Sequence, residues 1–223
     1  MSTINLEPIE SSLVCEFSRR NHWLAEIGER AAGAVLLALA SPVIAASAVA
    51  IAALSRRTPI IAHLRVGRDG RPFWVLKLRT MWPISRSRSE SEDWIERIVA
   101  EADGDGKDPS DERVNDGFAA FCRKYSIDEL PQLWHVISGE MSLVGPRPIT
   151  ERELHRHYGV HAAEVLQVRP GLVGLWQISG RNRLTYAERC RLDLRLVRER
   201  SVALYCAILL RTLPEVFSGE NSW

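Results

Sequence analysis

Two adjacent carboxylates, Asp128 and Glu129, are the residues best suited to chemistry in this chain of 223 residues. They follow Ser126, and the residues behind them place apolar side chains at helical spacing: Leu130, Leu133, Trp134 and Ile137. This pattern predicts a helix that begins beside the pair. Because adjacent helical side chains point about 100° apart, the two carboxyls do not face each other across one shared proton. The arrangement favours two separate roles, an attacking group and a proton carrier.

Cations flank this pair in the sequence. Arg123 and Lys124 lie just upstream, and Arg147 stands between Pro146 and Pro148, whose fixed φ angles hold its backbone rigid. Carboxylates ringed by cations suggest phosphoryl chemistry, because guanidinium groups bind phosphate oxygens well and stabilise developing negative charge. From the residues alone, the alternative is that the carboxylate pair only caps a helix with solvated charges.

Two more stretches carry candidate phosphate-binding cations. A Gly-rich turn region, R-P-G-L-V-G-L-W-Q-I-S-G-R, begins at Arg169 and ends at Arg181, and its glycines allow close backbone approach to a ligand. Residues 60–81 predict a β-hairpin across residues 67–70, and its second strand places Lys77 and Arg79 on one side of the pleat. The plainer interpretations are a structural turn and a solvated strand face.

Residues 31–54 carry no charged side chain and, at about 1.5 Å per residue, are long enough to cross a bilayer. Ser41 and Pro42 interrupt this run, since Pro42 removes one helical hydrogen bond and Ser41 can bond to the freed carbonyl. Basic residues flank both ends, which fits a helix that enters and returns on one face of the membrane, hinged at Ser41 and Pro42. The residues alone leave open an ordinary kinked span and, more weakly, a buried soluble helix.

Composition sets the broad class. A hydrophobic share of 46% excludes a disordered chain, and the length suits one core. The formal charge of +1 hides an acidic stretch, residues 90–116, which is predicted to be a loop with one short helix near residues 94–100. The 4 cysteines show no C-x-x-C spacing, which indicates a reduced, cytoplasmic setting. His155, His157 and His161 lack the neighbours of a zinc site and fit a solvated surface.

Residues 185–200 predict a basic amphipathic helix, and residues 202–210 follow as an uncharged run. The apolar stripe of the first helix lies among Arg189, Arg191, Arg195 and Arg198. Together the two segments are typical of a foot that rests on a membrane surface. Packing of the same stripe against the protein's own core is an equally good interpretation.

Several of these blocks, in this order, resemble one known family: Ser41-Pro42 in an apolar helix, K-L-R-T-M (77–81), S-I-D-E-L-P-Q (126–132), M-S-L-V-G-P-R-P (141–148), the turn region of residues 169–181, and L-D-L (192–194). The chain is similar over about residues 20–218 to the bacterial sugar transferases. These are monotopic polyprenyl-phosphate phosphoglycosyl transferases that begin exopolysaccharide, O-antigen and glycoprotein glycan assembly. One departure is Gly139-Glu140, where many members carry Gly-Asp.

The resemblance implies an α/β fold: a small mixed α/β catalytic domain with an N-terminal re-entrant membrane helix hairpin and interfacial amphipathic helices. The expected divisions are a disordered N-terminus over residues 1–17, an interfacial and re-entrant membrane helix over residues 18–57, and a cytoplasmic phosphoglycosyl transferase domain over residues 58–223. The expected location is the bacterial inner membrane, with the catalytic domain on its cytoplasmic face.

The resemblance also implies an activity, the Mg²⁺-dependent transfer of a sugar 1-phosphate from a UDP-sugar to undecaprenyl phosphate with release of UMP. Asp128 would be the nucleophile of an aspartyl phosphosugar intermediate and would lie by the Mg²⁺, and Glu129 would be the acid/base of the lipid step. Arg123, Arg147 and Arg181 fall on family positions that hold phosphates. The core-only form and the S-G-R-N block favour a hexose, galactose or glucose.

The expected partners are the UDP-sugar, undecaprenyl phosphate, membrane lipid and downstream glycosyltransferases, with no nucleic acid; a homodimer is left open. Two alternatives to an enzyme remain. One is a catalytically idle scaffold of a polysaccharide assembly complex, and the other is a peripheral protein whose basic faces only bind anionic lipid. The intact pair of Asp128 and Glu129 disfavours both.

Overall fold

A long N-terminal helix, α1 (Glu7–Ser55), dominates the computed structural model, which describes residues 7–81, 95–98, 117–180 and 183–218. The helix includes part of residues 1–17, the stretch predicted to be disordered. Among the described residues, its portion Ala25–Ser55 is the one segment long and apolar enough to cross a membrane, with a mean hydropathy of 2.4. It leaves large apolar side chains exposed, among them Val35, Leu39 and Val49, which is compatible with a membrane anchor.

Ser41 and Pro42 lie inside α1, and the helix continues through them. The hydroxyl of Ser41 donates to the Ala38 carbonyl at 2.8 Å. That carbonyl is the one that Pro42, having no N–H, leaves without its helical partner. The predicted side-chain bond at this position is therefore confirmed. The segment is one helix in this structure, which does not show a hairpin of two arms.

A three-stranded sheet follows, with the order β2-β1-β3. Strands β1 (Ile60–Val66) and β2 (Pro72–Leu78) pair antiparallel around a 3₁₀ turn at Arg68–Gly70, so the predicted hairpin is confirmed. Strand β3 (Ile95–Ile98) pairs parallel with the other edge of β1. The short helix predicted near residues 94–100 is wrong, because these residues complete the ladder on the edge of β1 that β2 leaves open.

The carboxylate pair lies on a short helical segment between two helices. Helix α2 (Gly117–Lys124) leads through Ser126, in the left-handed conformation with a φ of 55°, to a 3₁₀ helix (Ile127–Gln132) and then to α3 (Leu133–Ser138). The predicted helix beside the pair thus forms, in the tighter 3₁₀ geometry. Pro131 explains this, since its ring clashes with the preceding α-helical turn and it has no N–H to donate. The side chain of Ser126 does not cap it.

Strands β4 (Ser142–Val144) and β5 (Gly171–Val173) form a second, parallel sheet next to the turns that contain Gly145 and Gly171. The turns approach so closely that a Cβ built on Gly171 would lie 2.0 Å from the Gly145 nitrogen. Only glycine fits there. A single bridge between Val66 and Ile149 joins this part of the chain to β1.

The rest of the described chain is helical: α4 (Glu151–Glu153), a π-helical turn (Leu154–Tyr158), a 3₁₀ turn (Gly159–His161), α5 (Ala162–Val165), α6 (Leu175–Ile178), α7 (Tyr186–Arg198) and α8 (Val202–Ser218). Helix α7 begins with a capping box between Thr185 and Glu188 and buries Cys190, Leu194 and Val197 in the core. Its apolar stripe therefore serves the protein's own packing. Helix α8 buries Ile208 but exposes Val202 and Leu210.

Candidate active site

The two carboxylates of the 3₁₀ helix meet the end of β2. Lys77, on β2, places its Nζ 2.9 Å from Oε1 of Glu129 and 4.0 Å from Oδ2 of Asp128. The Asp128 side chain is only 11% exposed, whereas that of Glu129 is 38% exposed. One lysine therefore compensates two carboxylates of different accessibility, which fits two different roles for the pair.

The charges of this cluster are finely balanced. Burial and the neighbouring Glu129 together raise the pKa of Asp128 to about 6, against the opposing charges of Lys77 and Arg123. Burial works against the charged form of Lys77, yet the Glu129 and Asp128 carboxylates leave its pKa raised. At neutral pH Lys77 is thus a cation, and Asp128 is an anion whose charge is costly to hold.

Arg123 and Arg147 lie near this cluster. Arg123, near the end of α2, is buried and donates to the carbonyl of Thr80, just beyond β2. Arg147 follows β4, and its positive charge opposes the raised pKa of Lys77. Its guanidinium carbon lies 6.0 Å from the ring centre of Trp176. Arg123 thus acts on the charge of Asp128, and Arg147 on that of Lys77.

His135 fastens the helical segment to β2. Its Nε2 accepts a hydrogen bond from the Leu76 N–H at 3.1 Å, and its Nδ1 lies 2.7 Å from Oε2 of Glu140. Since Nε2 is the acceptor, Nδ1 carries the proton and donates to Glu140. These bonds attach α3, and with it the preceding 3₁₀ helix, to Leu76, the residue next to Lys77 on β2. Glu140 supplies the carboxylate here.

Residues 20–219 match the family described as bacterial sugar transferase. The chain belongs to this family. It is 43% identical over 74% of its length to a UDP-galactose-lipid carrier transferase of Erwinia amylovora, and covers 34% of that protein. It is 41% identical over 72% of its length to exopolysaccharide production protein ExoY of Rhizobium meliloti, covering 71% of it.

A third relative is the UDP-glucose:undecaprenyl-phosphate glucose-1-phosphate transferase of Caulobacter vibrioides. The identity is 34% over 86% of this chain and 69% of that protein. The chain spans about a third of the Erwinia amylovora relative and more than two thirds of the other two. The carboxylate pair described above lies within the matched residues 20–219.

The structure of this sugar transferase brings together only part of the predicted site. Asp128, Glu129 and Lys77 are in contact, and Arg123 and Arg147 lie within electrostatic range. Arg79, by contrast, donates from Nε and Nη2 to the carbonyl and hydroxyl of Thr58, where the chain enters β1. Arg181 lies outside the described residues.

Arg169 belongs to a different cluster, which we call the junction: Glu26 and Glu29 of α1 with Arg169, Ser142, Leu143 and Tyr205. The Arg169 Nη2 lies 2.9 Å from Glu26 and 3.5 Å from Glu29. Glu29 also accepts from the Leu143 N–H at 2.7 Å, from the Tyr205 hydroxyl at 2.7 Å and from the Ser142 hydroxyl. The junction therefore joins α1 to β4, which ends three residues before Arg147.

Asp193 is a buried carboxyl that the sequence interpretation did not place at the site. It is 1% exposed and accepts from the Tyr158 hydroxyl at 2.8 Å. Burial raises its pKa to about 7, against the Tyr158 hydrogen bond and the nearby Arg147. The signal was available, because an aspartate between two leucines on the apolar side of a helix is rarely left without a partner.

The carboxylate pair also suits a magnesium ion. Mg²⁺ is usually held by one or two carboxylates, with water and substrate phosphates completing its shell. Within the described residues no group of three or more His, Cys, Asp and Glu side chains converges. Asp128 and Glu129 can supply the one or two oxygens that such a phosphate-shared ion needs, so the donor set fits the implied metal.

Proposed function

We propose that this sugar transferase moves a sugar 1-phosphate from a UDP-sugar to undecaprenyl phosphate and releases UMP. The observation that carries this proposal is the buried Asp128 carboxylate held beside Lys77, with Arg123 and Arg147 near. A nucleophile among cations suits an attack on a phosphate ester. Two relatives, a UDP-galactose-lipid carrier transferase and a UDP-glucose:undecaprenyl-phosphate glucose-1-phosphate transferase, have names that support the same substrates.

In the first step, a carboxylate oxygen of Asp128 bonds to the phosphorus that carries the sugar. The bond from that phosphorus to the bridging oxygen breaks, and the electron pair leaves with UMP. The product is an aspartyl phosphosugar. Lys77, Arg123 and Arg147 stabilise the negative charge that develops on the phosphate oxygens, and the limited solvent around Asp128 strengthens each of these interactions.

In the second step, an oxygen of undecaprenyl phosphate attacks the same phosphorus. The bond between phosphorus and the Asp128 oxygen breaks, so the carboxylate is restored and the lipid carries a diphosphate-linked sugar. Glu129 takes the proton of the lipid phosphate before the attack. Its greater exposure and its bond to Lys77 suit a group that meets a second substrate arriving after UMP has left.

Magnesium, when bound, would neutralise phosphate charge and orient the donor. Asp128 is the residue we propose as its protein ligand, with Glu129 as the second carboxylate within reach. Removal of Mg²⁺ with EDTA should therefore abolish UMP release. It should leave the fold intact, because Lys77 still compensates the two carboxylates. Retention of full activity in EDTA would contradict this part of the proposal.

We propose a hexose donor, UDP-galactose or UDP-glucose, for the first membrane step of exopolysaccharide or related glycan synthesis. The names of the relatives from Erwinia amylovora and Caulobacter vibrioides support this preference. A screen of UDP-hexoses against UDP-N-acetylhexosamines tests it. Product from the acetylated sugars alone would overturn it.

We propose that α1 enters and leaves the bacterial inner membrane on the cytoplasmic face. Both ends of its apolar segment are bonded to one catalytic domain: Glu29 to β4 before it and Thr58 to the end of β2 after it. Beyond Pro42, Ser47 and Ile51 are also buried. A full span would place these two ends on opposite faces of about 30 Å of hydrocarbon, where one domain could not bind both, and this supports a re-entrant course.

One assay tests the central proposal. Detergent-purified protein is incubated with UDP-galactose or UDP-glucose, Mg²⁺ and undecaprenyl phosphate, and UMP and lipid-linked sugar are measured. An enzyme yields both products, whereas an idle scaffold or a lipid-binding protein yields neither. With the lipid omitted, wild-type protein should release at most one UMP per chain and gain a phosphohexose mass on the peptide that contains Asp128.

A further inference from the structure

Two guanidinium groups share one indole beside the candidate active site. The Cζ atom of Arg189, on α7, lies 5.1 Å from the ring centre of Trp176, and the Cζ atom of Arg147 lies 6.0 Å from the same centre. Burial and the charge of Arg147 both lower the pKa of Arg189. Like charges held this close to each other destabilise the folded chain unless an anion lies between or beside them.

Arg189 differs in this respect from other arginines of the helical region. Arg198 donates to both oxygens of Glu164, and Arg195 pairs with Glu199 at 2.9 Å. Arg189 has no carboxylate partner among the described residues, and its Nε–H is buried without a hydrogen-bond acceptor. A buried donor without a partner costs about 1–3 kcal/mol, more when it is charged, so a ligand that supplies an acceptor would be bound firmly.

The same small region holds two more unpartnered polar atoms. The Trp176 Nε1–H and the Gln177 Oε1 are buried without hydrogen-bond partners. Both side chains crowd Gly174, since a Cβ built there would lie 2.8 Å from the Gln177 Oε1 and 3.6 Å from Trp176, and 2.6 Å from the Gly145 carbonyl. The region therefore lies directly against the turn that carries Arg147. The Gln177 oxygen is an acceptor, whereas the Trp176 and Arg189 nitrogens are donors. These two donors and the positive charge of the arginines favour a ligand with anionic oxygens.

We propose that Arg189 is a phosphate-binding residue of this enzyme, held on the Trp176 indole beside Arg147, and that the two guanidiniums bind one phosphate group together. This inference rests on the proposed function, because the phosphate belongs to one of its substrates. Either source offers the same chemistry, the diphosphate of the UDP-sugar or the headgroup of undecaprenyl phosphate. The arrangement also gives Trp176 a role as the platform on which both guanidiniums stack.

Arginine footprinting on the wild-type protein tests the proposal without any variant. Phenylglyoxal labels accessible guanidiniums, and peptide mass spectrometry compares Arg189 with Arg191, an exposed arginine two residues away on the same helix. We expect UDP or undecaprenyl phosphate to slow the labelling of Arg189 at least 5-fold and leave that of Arg191 unchanged. Protection by UDP alone assigns the donor diphosphate, and protection by the lipid alone assigns the acceptor phosphate.

Variants give a second, independent readout. Arg189→Gln should weaken UMP binding, or raise the KM for undecaprenyl phosphate, by about 10- to 100-fold, the usual loss for one charge-assisted hydrogen bond. Arg189→Lys should recover part of the loss, and Arg191→Gln should match wild type. Equal labelling of Arg189 with and without both ligands overturns the proposal. Wild-type protein that makes UMP while Arg189 stays unprotected contradicts this inference alone, whereas absence of UMP from every UDP-sugar contradicts the proposed function.

Discussion

The candidate active site and the junction both place carboxylates beside a cation, but they differ in how the carboxylate charge is compensated. At the junction, one oxygen of Glu29 accepts from a backbone N–H and two hydroxyls, and the other faces Arg169. At the candidate active site, Lys77 lies 2.9 Å from a Glu129 oxygen and 4.0 Å from an Asp128 oxygen. Glu29 is therefore the more extensively bonded carboxylate, and Asp128 is the one that we propose reacts.

This difference teaches how to separate a structural carboxylate from a chemical one. A fully hydrogen-bonded carboxylate contributes to stability and has no lone pair to spare for a substrate. A buried carboxylate with fewer such bonds destabilises the folded chain. It is retained where its charge is needed for a reaction. Replacing each carboxylate should consequently have opposite effects, with activity lost at one and stability lost at the other.

The largest expected effect is at Asp128. Asp128→Asn keeps the shape of the side chain but removes the attacking oxygen, so turnover should fall by a factor on the order of 10⁴ or more. Because a costly buried charge is gone, the variant should also melt at a higher temperature than wild type. UMP release and thermal unfolding measure the two results on one preparation.

Glu129→Gln is the matched control for that variant. It should still form the phosphosugar adduct and release one UMP, because we assign Glu129 to the lipid step. The double variant should behave like Asp128→Asn alone, since groups that act in one sequence are not additive. An active Asp128→Asn protein shown by mass spectrometry to be free of deamidation would disprove the nucleophile and favour direct transfer between the two substrates.

Glu29→Ala should produce the opposite result. It leaves Arg169 and the Leu143 N–H without their partner, so unfolding should become easier by about 2–4 kcal/mol. Glu199→Ala, which removes an exposed pair with Arg195, should cost less than about 1 kcal/mol. Melting curves in detergent compare the two. If both variants lose the same amount, the junction is no more than a surface ion pair.

The sequence predicts those elements whose interactions join residues close together in the chain. The β1–β2 hairpin and α7 were predictable, because alternation, turn glycines and a capping box are local signals. Strand β3 was not, since it pairs with an edge far away in the chain. The carboxylate pair could be found from its residues and its resemblance to a family, whereas its contact with Lys77 requires β2 to meet the 3₁₀ helix.

The arginines show the same limit more sharply. Arg169 looks identical in sequence to a phosphate-binding arginine, but Glu26 and Glu29, contributed by α1, engage it. Arg189 looks like one of several cations on a polar helix face, and only tertiary structure places it over Trp176. A guanidinium's role depends on whether a distant carboxylate reaches it, and periodicity carries no information about that.

A smaller effect concerns pH. In the proposed mechanism Asp128 attacks only when ionised, so kcat/KM for UMP release should rise about tenfold per pH unit below a midpoint of about 6 and level off above it. Stability should change in the other direction. The pKa of Asp128 is raised from 3.8, so the folded chain binds this proton more tightly, and the stability it contributes is lost as pH rises through about 6.

Asp128→Asn separates this effect from other titrating groups. The melting temperature of wild type minus that of the variant should decrease between pH 4.5 and 7, corresponding to about 1–3 kcal/mol. A difference that stays flat over this range would show that Asp128 does not titrate there.

The smallest expected effect is at Ser41 and Pro42. Replacing both with Ala restores the backbone bond to the Ala38 carbonyl and removes the kink-forming ring, which favours a straight helix and hence a full span. We expect only a minority of molecules to change topology, because Glu29 before the apolar segment and Thr58 after it still bind the same domain. Cysteines introduced on the two flanks and labelled from the periplasm measure the fraction of molecules that changes topology.

Adding Glu29→Ala to this variant should raise that fraction, since one of the two attachments is then lost. Wild-type flanks that label from opposite sides would disprove the re-entrant course.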